Sequence, residues 1–538
     1  MMLDTGLNLP FMLLYPAIPD PETVLDPCTG EDKTFKDRRT ITMSHFEITH
    51  KDSAGRIGRL DTGHRRIETP TVMPVVNPNI QMIPASELTK FGAEIVITNA
   101  YIIYQNPELK EHALDRGVHS LLDFDGTIMT DSGSYQLSVY HDIDISSEEI
   151  VRFQQMIGSD IGVPLDIPTP PDVPRERAGS EMKTTIERCE AAHRLMGSDG
   201  TTGSMLLAGT VQGSTHPDLR YECARTLSKI GFDIYPIGAV VPLLVNYRFA
   251  DMVDVIVASK KGLSPAAPVH LFGAGHPAMF ALAVALGCDL FDSAAYALYA
   301  RGGRYLTADG TYHLADLKYL PCSCPVCASH TADELRDEFA SGNYISLAEH
   351  NLYATFEEIR TIKQCIIEGN LWELVERRCR AHPRLLDGLK RAICHTDWIE
   401  RFDPIRKSTF FYCGSESASR AEVLRFGERL DRFDLDGTVL IRTLKVGGEA
   451  DRFDHVLNLK APFGAYPVEL GETYPFNAEV LESSEPDYDA ASVALGNVLR
   501  LIRLNPDARF TVVCEWKHPL LAEIEACPNV GEILSSNK

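Results

Sequence analysis

From residue 69 onward, short apolar runs alternate with amphipathic stretches at helical spacing. The apolar runs cover 71–76, 94–98, 126–130, 162–165, 206–211, 233–237, 269–272 and 289–291. Each is short, continuous and bounded by polar or glycine-containing turns, as strands buried on both faces read. Between them, Leu219, Cys223, Leu227 and Ile230 recur at helical spacing, as do Phe249, Met252, Val253, Ile256 and Val257. The segment 277–287 has proline near its start and glycine at its end, the asymmetry a helix favours. Eight strand–helix alternations over about 220 residues predict an α/β fold, a (β/α)8 TIM-like barrel. An open doubly wound sheet is the alternative, but no glycine-rich phosphate fingerprint follows an early strand.

In such a barrel the chemistry sits at the carboxyl ends of the strands. Those positions hold Asn99, Asp131, Asp166, Gln212, Gly238-Ala239, Gly273 and Asp292. A single aspartate after a strand is ordinarily a helix cap or turn former. Recurrence in successive units converges three carboxylates and the amides of Asn99 and Gln212 on one mouth. Two facing carboxylates are the usual equipment for cleaving a glycosidic bond.

Beyond the last run, Cys322, Cys324 and Cys327 lie within six residues on a turn that carries Pro321 and Pro325. Three thiols at this spacing can meet on one ion, and His350 completes a closed tetrahedral zinc site of the structural kind. His330, nearer in sequence, is the alternative fourth ligand. Ser346 to Glu349 reads as a capping box, and Leu352, Phe356, Ile359 and Ile366 continue a helical face, which puts His350 in the first helical turn.

Length leaves room for two to four domains, and a hydrophobic content of 44% is ordinary for a globular chain. The thirteen cysteines, mostly scattered, suit a reducing compartment such as the cytoplasm. No run approaches the length that spans a bilayer, so no membrane partner is expected. The apolar run 11–15 follows Asp4 rather than a basic segment, which argues against a signal peptide. Residues 1–42 lack periodicity and are read as a disordered or non-native extension, with Met43 a candidate start. A formal charge of −23 by itself weighs against nucleic acid as a partner.

The segments Asp131-Ser132-Gly133-Ser134-Tyr135-Gln136, Val211-Gln212-Gly213, Leu290-Phe291-Asp292-Ser293 and the Cys322/Cys324/Cys327/His350 set, in that order, resemble the tRNA-guanine transglycosylases. The turn Gly238-Ala239-Val240-Val241-Pro242 and the stretch from Pro462-Phe463-Gly464 to Tyr474-Pro475 resemble the archaeal branch. The resemblance runs from about Ser44 to the carboxyl terminus. It implies exchange of guanine at position 15 in the tRNA D-arm for 7-cyano-7-deazaguanine, the archaeosine precursor, through a covalent enzyme–RNA intermediate. Matched to the family, Asp292 is the nucleophile and Asp131 the general acid/base, with the reverse assignment as the alternative. Tyr135 stacks on the base, while Asp166, Gln212 and the backbone at Ala239 and Val240 recognise its edge. One structural Zn2+ per chain and a homodimer are likewise implied. Ser134 and Ala239 stand where the wider family commonly has glycine.

For tRNA, local charge matters more than the total. Between Glu376 and Lys407 the basic residues are Arg377, Arg378, Arg380, Arg384, Lys390, Arg391, Arg401, Arg406 and Lys407, against Glu376, Asp387, Asp397, Glu400 and Asp403. This excess could hold phosphates, or be a solvated face laced with salt bridges. The expected division is a catalytic barrel over 43–385, with the zinc module at about 320–370, and small α/β modules over 386–538, with helices at 415–429 and 490–504. The family's longer archaeal members end in a small RNA-binding barrel, and this chain is read as stopping before it. The rival readings are a catalytically inactive paralogue of the same pathway and a non-catalytic tRNA-binding protein. The first would lack the paired aspartates, and the second would not need them. An enzyme of the queuine type acting on the anticodon is disfavoured by the carboxyl-terminal extension.

Overall fold

The first described element is an antiparallel sheet that the apolar pattern did not reveal: β1 (Phe46–Asp52), β2 (Gly55–Asp61) and β3 (Arg66–Thr69). In this computed structural model the described residues are 45–134, 145–198, 205–443, 450–480 and 485–534. The eight predicted strands follow as β4 (Thr71–Pro74), β5 (Ile95–Asn99), β6 (Thr127–Asp131), β7 (Ile161–Gly162), β8 (Leu206–Leu207), β9 (Tyr235–Ile237), β10 (Val269–Leu271) and β11 (Leu290–Ser293). They form two four-stranded parallel sheets, β5-β6-β7-β8 and β4-β11-β10-β9. Parallel bridges Val75–Ile97 at one seam and Ala208–Ile234 and Val211–Ile237 at the other connect them. Pairing therefore returns to its starting strand.

One face of these strands fills the interior. Met73, Ile95, Ile97, Met129, Ile161, Val163, Leu206, Ala208, Ile234 and Leu290 pack in one buried cluster with Phe46, Leu60 and Ile67 from the antiparallel sheet. That sheet thus closes one end of the interior. The outward faces pack under helices that include Pro107–Leu122, Ser147–Met156, Pro217–Ile230, Phe249–Gly262 and Pro277–Ala285.

After β11 come the hairpin β12 (Arg304–Thr307) and β13 (Gly310–His313) and three helices, Pro325–Ser329, Ala332–Ala340 and Ile345–Glu368. The predicted capping box at Ser346 is not formed. The long helix starts two residues earlier than that box would place it, without a side-chain cap at Tyr344, and Asn343 Oδ1 accepts from the Ile345 N–H. His350 therefore sits in the second turn. A capping box does occur at Thr331 and Glu334, heading the preceding helix.

A second hydrophobic cluster begins at Phe410, whereas the first continues through Leu389, Ala392 and Trp398 to Ile399. Its sheet runs β16 (Gly464–Pro467), β15 (His455–Lys460), β14 (Thr438–Thr443), β17 (Arg509–Val513), β18 (Val530–Leu534), parallel except for the β15–β16 pair. Helix Tyr488–Leu504 covers it. The helix expected over 415–429 is broken: a 3-10 turn at Ser415–Ser419 is followed by Ala421–Glu428.

Between the two clusters lies a buried ionic network. Lys407, with a side chain only 2% exposed, reaches Asp52 at 2.8 Å, Asp403 at 2.5 Å and Glu422 at 2.9 Å. Arg420 binds Glu373 at 2.5 Å and Glu422 at 2.8 Å, and Arg425 binds Glu400 at 2.6 Å and Asp403 at 3.1 Å. Among the described residues no helix is long and apolar enough to cross a membrane.

Candidate active site

The residues at the carboxyl ends of the strands converge as expected. Asn99 closes β5 and Asp131 closes β6, and the Asn99 amide donates to Asp131 Oδ2 at 3.0 Å. Asn99 Oδ1 meanwhile caps the next helix by accepting from the Ile102 N–H. Burial, with the neighbouring charges of Asp166 and Asp292, pushes the Asp131 carboxyl up to about 7, against backbone N–H groups of Gly133 and Ser132 that favour ionisation.

Asp166 lies on the segment following β7, its backbone N–H donating to Ser134 Oγ at 3.0 Å. Gln212, fully buried after β8, donates its amide to Asp166 Oδ2 at 2.6 Å. Burial also raises the Asp166 pKa. Gln212 Oε1 has no hydrogen-bond partner among the described residues, so this pair presents an unmet acceptor beside a carboxylate. A Cβ at Gly238 would stand 2.3 Å from Gln212 Nε2, so glycine here lets the Gln212 amide keep its place against Asp166. Ala239 takes the left-handed backbone, φ 59°, which explains why glycine suits this position. Val240 is buried and starts the short helix Val241–Val245. Tyr135 lies outside the described residues.

Asp292, on β11, is held from two sides: His270 Nε2 at 2.8 Å and the Gly273 N–H at 2.6 Å both meet Oδ1. Two donors on one oxygen fix the orientation of the carboxylate and leave Oδ2 for other chemistry. His270 was missed by sequence reasoning. Its signal was present: a histidine inside the otherwise apolar run 269–272, on the strand next to Asp292. Arg220 was missed too. Wholly buried, it donates to the carbonyls of Val211 at 2.7 Å, Ser214 at 2.8 Å and Gly238 at 3.0 Å, locking the loop after β8 to that after β9. Burial pulls its guanidinium down to about 10, so it remains cationic at neutral pH near Asp166.

The cysteine cluster also assembles. Ligand atoms of Cys322, Cys324, Cys327 and His350 all lie within 4.8 Å of one another. His350 Nδ1 is 3.5 Å from Cys324 Sγ and 3.4 Å from Cys327 Sγ. A tetrahedral site with metal–sulfur bonds of about 2.3 Å and metal–nitrogen bonds of about 2.0 Å separates such ligands by about 3.5 Å. His350 Nε2 lies 2.9 Å from the Leu306 carbonyl, which fixes the proton there and leaves Nδ1 for the ion. Tyr305 stacks on the ring at 3.6 Å and its hydroxyl touches Cys327 Sγ at 3.1 Å. The cluster could hold a metal ion. His330 is not part of it; its Nδ1 faces the Val326 carbonyl and its Nε2 faces Glu338.

The basic run at 377–407 is mostly neutralised. Arg378 pairs with Glu358 and Asp309, Arg380 with Glu416, Arg384 with Asp387, Arg391 with Asp254, and Lys407 is inside the buried network. The salt-bridge reading therefore holds for these five, while Arg377, Lys390, Arg401 and Arg406 are exposed.

The queuine tRNA-ribosyltransferase family matches residues 51–384. A protein of Methanosarcina barkeri called tRNA-guanine(15) transglycosylase is 63% identical over 481 residues, 89% of this chain and 96% of that protein. One of the same description from Haloferax volcanii is 52% identical over 486 residues, 89% of this chain and 92% of its own length. A third, from Methanocaldococcus jannaschii, is 50% identical over 446 residues, 80% of this chain and 68% of its own. With this likeness along most of its length, and carboxylates gathered where the strands end, the chain belongs to the tRNA-guanine transglycosylase family.

Proposed function

We propose that this chain is a tRNA-guanine(15) transglycosylase, a pentosyltransferase that exchanges guanine at position 15 in the D-arm of tRNA for 7-cyano-7-deazaguanine. The observation that carries the reading is the contrast between two carboxyl groups of one mouth. Burial and neighbouring carboxylates push the Asp131 carboxyl up to about 7, whereas Asp292 is braced by two hydrogen-bond donors on one oxygen. That is the division of labour a double displacement needs.

Asp292 attacks ribose C1′, the C1′–N9 bond breaks, and the protonated Asp131 delivers its proton to the departing guanine. The incoming base loses its N9 proton to Asp131 and attacks C1′ from the vacated side, releasing Asp292. Configuration is retained over the two steps. Asp166 and Gln212 pair with the edge of the purine, with Ala239 and Val240 offering backbone, and Tyr135 is assigned to stack on its face. The paired aspartates favour this reading over the inactive paralogue and over a tRNA-binding protein without activity.

The eight-strand ring is assigned as a (β/α)8 barrel, with the zinc module at about 320–370 and the carboxyl-terminal α/β sheet from about 405 as a separate module. Zinc is assigned to the Cys322/Cys324/Cys327/His350 site on its ligand set and spacing; with four protein ligands its role is structural. A homodimer acting in the cytoplasm completes the proposal. The test is an exchange assay with labelled guanine in tRNA and 7-cyano-7-deazaguanine as incoming base, with denaturant-quenched mixtures mapped for a protein–RNA adduct. The expected adduct is on Asp292 and is lost in Asp292→Asn with tRNA binding retained. An adduct on Asp131 would reverse the two roles, and exchange surviving in Asp292→Asn would defeat the double displacement.

A further inference from the structure

A second group of metal-ligating side chains lies at the opposite end of the ring, where the strands begin. His64 is in the turn between β2 and β3, His119 is in the last turn of helix Pro107–Leu122, and Asp160 directly precedes β7. His119 Nε2 is 3.1 Å from Asp160 Oδ2, and His64 Nδ1 is 3.9 Å from Asp160 Oδ1. The three ligand atoms lie within 4.8 Å of one another. Ligands of a tetrahedral ion with bonds of about 2.0–2.1 Å stand about 3.3 Å apart, between the two separations found.

The far side of each ring separates this cluster from a chance meeting of polar groups. His64 Nε2 is 3.1 Å from the carbonyl of Asp125, and His119 Nδ1 is 3.1 Å from the carbonyl of Phe124. A carbonyl only accepts, so each imidazole carries a proton on its far nitrogen. In the neutral rings the lone pairs then belong to the nitrogens facing Asp160, where an ion would take the place of the proton that His119 Nε2 donates to Asp160 at 3.1 Å, and the outer carbonyl contacts are those that metal-ligating histidines show. Asp160 is fixed in turn, its Oδ2 accepting the Ile128 N–H at 2.7 Å. The two rings stack at 4.7 Å with 17° between their planes. An imidazolium of His119 paired with Asp160 would explain one histidine, but not a second turned toward the same carboxylate across a stacked ring.

We propose that His64, His119 and Asp160 form a second metal site, for a borderline divalent cation of the Zn2+ or Co2+ type, with one coordination position left to water. Two imidazoles and one carboxylate suit this class better than Mg2+ or Ca2+, which favour all-oxygen shells. The side chains are 37%, 25% and 9% exposed, in the order His64, His119, Asp160, so the ion enters from solvent. A neighbouring cleft lined by Arg65, Glu94, His119 and Asp125 gives it a path. Bound there, it fastens the β2–β3 turn to the starts of β6 and β7.

The test uses full-length protein already loaded with one equivalent of zinc, then titrated with Co2+ and followed by visible absorption and by metal analysis after dialysis. The wild type should take up one further equivalent, with ligand-field bands and no thiolate-to-metal charge transfer, because no sulfur is present. His64→Ala, in an exposed turn away from the aspartates, should bind it at least tenfold more weakly, with the zinc equivalent retained and its melting curve without added Co2+ close to wild type. Asp160→Asn is the second variant, expected to lose the same uptake. Overturning results are no Co2+ uptake beyond the first equivalent in the wild type, or His64→Ala binding it with unchanged affinity. Imidazole titration curves of His64 and His119 that excess Zn2+ leaves unaltered would also overturn it, leaving a proton-sharing pair.

Discussion

Replacing Asp131 with asparagine should stabilise the protein while abolishing exchange. Its carboxyl is raised from an ordinary 3.8 to about 7. A rise of about 3 units at about 1.4 kcal/mol each means that the native state disfavours the ionised form by about 4 kcal/mol. Below about pH 4 the side chain is protonated in folded and unfolded chains alike, and stability is unaffected. Between about pH 4 and pH 7 the unfolded chain releases the proton that the native protein retains, so stability falls; above that the whole penalty is present. Asp131→Asn removes it, and 4 kcal/mol is the ceiling. Hydrogen bonds from Asn99 and from the Gly133 and Ser132 N–H groups are weaker to an amide than to a carboxylate, which leaves a gain of about 1–3 kcal/mol. Denaturant unfolding of both proteins at about pH 8 and about pH 4.5 measures it. The gain should be largest at the higher pH and shrink toward zero at the lower. A variant less stable than wild type at pH 8, or a difference independent of pH, would refute the reasoning.

Cys324→Ala should lose the zinc bound at the cysteine cluster and lower thermal stability by several degrees; full retention of the metal in mass analysis would count against the ligand set. Ala239→Gly should raise stability by up to about 1 kcal/mol, since it relieves a left-handed alanine at φ 59° while adding freedom to the unfolded chain; a loss of more than that on thermal unfolding would contradict it. Arg377→Glu should weaken tRNA binding and lower its salt dependence at unchanged stability. Arg378→Glu should instead destabilise the fold, because Arg378 neutralises the buried Glu358 at 2.7 Å; equal behaviour of the two in filter binding and melting would reject the distinction.

The eight strands were legible because parallel strands buried on both faces leave continuous apolar runs such as 94–98 and 269–272. β1 to β3 were not, since 46–69 mixes Arg, Lys, Asp and Gly with apolar residues and buries them as a cap rather than a layer. Strand ends gave the positions of Asp131, Asp166, Gln212 and Asp292, because topology brings those positions together whatever the side chains. The His270–Asp292 contact and the reach of Arg220 depend on which strands and loops become neighbours, and single-sequence periodicity does not encode this. Which cations of the basic run are paired was not legible for a related reason: a tally of charges does not record partners, and Lys407 finds three carboxylates, of which Asp52 is far away in sequence.

That lysine bears on how far the chain can be dissected. The cations at 407, 420 and 425 come from the segment leading into the carboxyl-terminal sheet, whereas Asp52 and Glu373 belong to the amino-terminal portion. A shortened protein ending near residue 400 would keep those carboxylates at a site built to exclude water, without the groups that neutralise them. Wherever such a carboxylate stays buried without its cation the cost is about 3–5 kcal/mol. The ring of strands is therefore not a portable part. A chimera that exchanges the downstream sheet for another protein's must carry Lys407, Arg420 and Arg425 across the splice, or replace the matching acids with neutral residues at the same time.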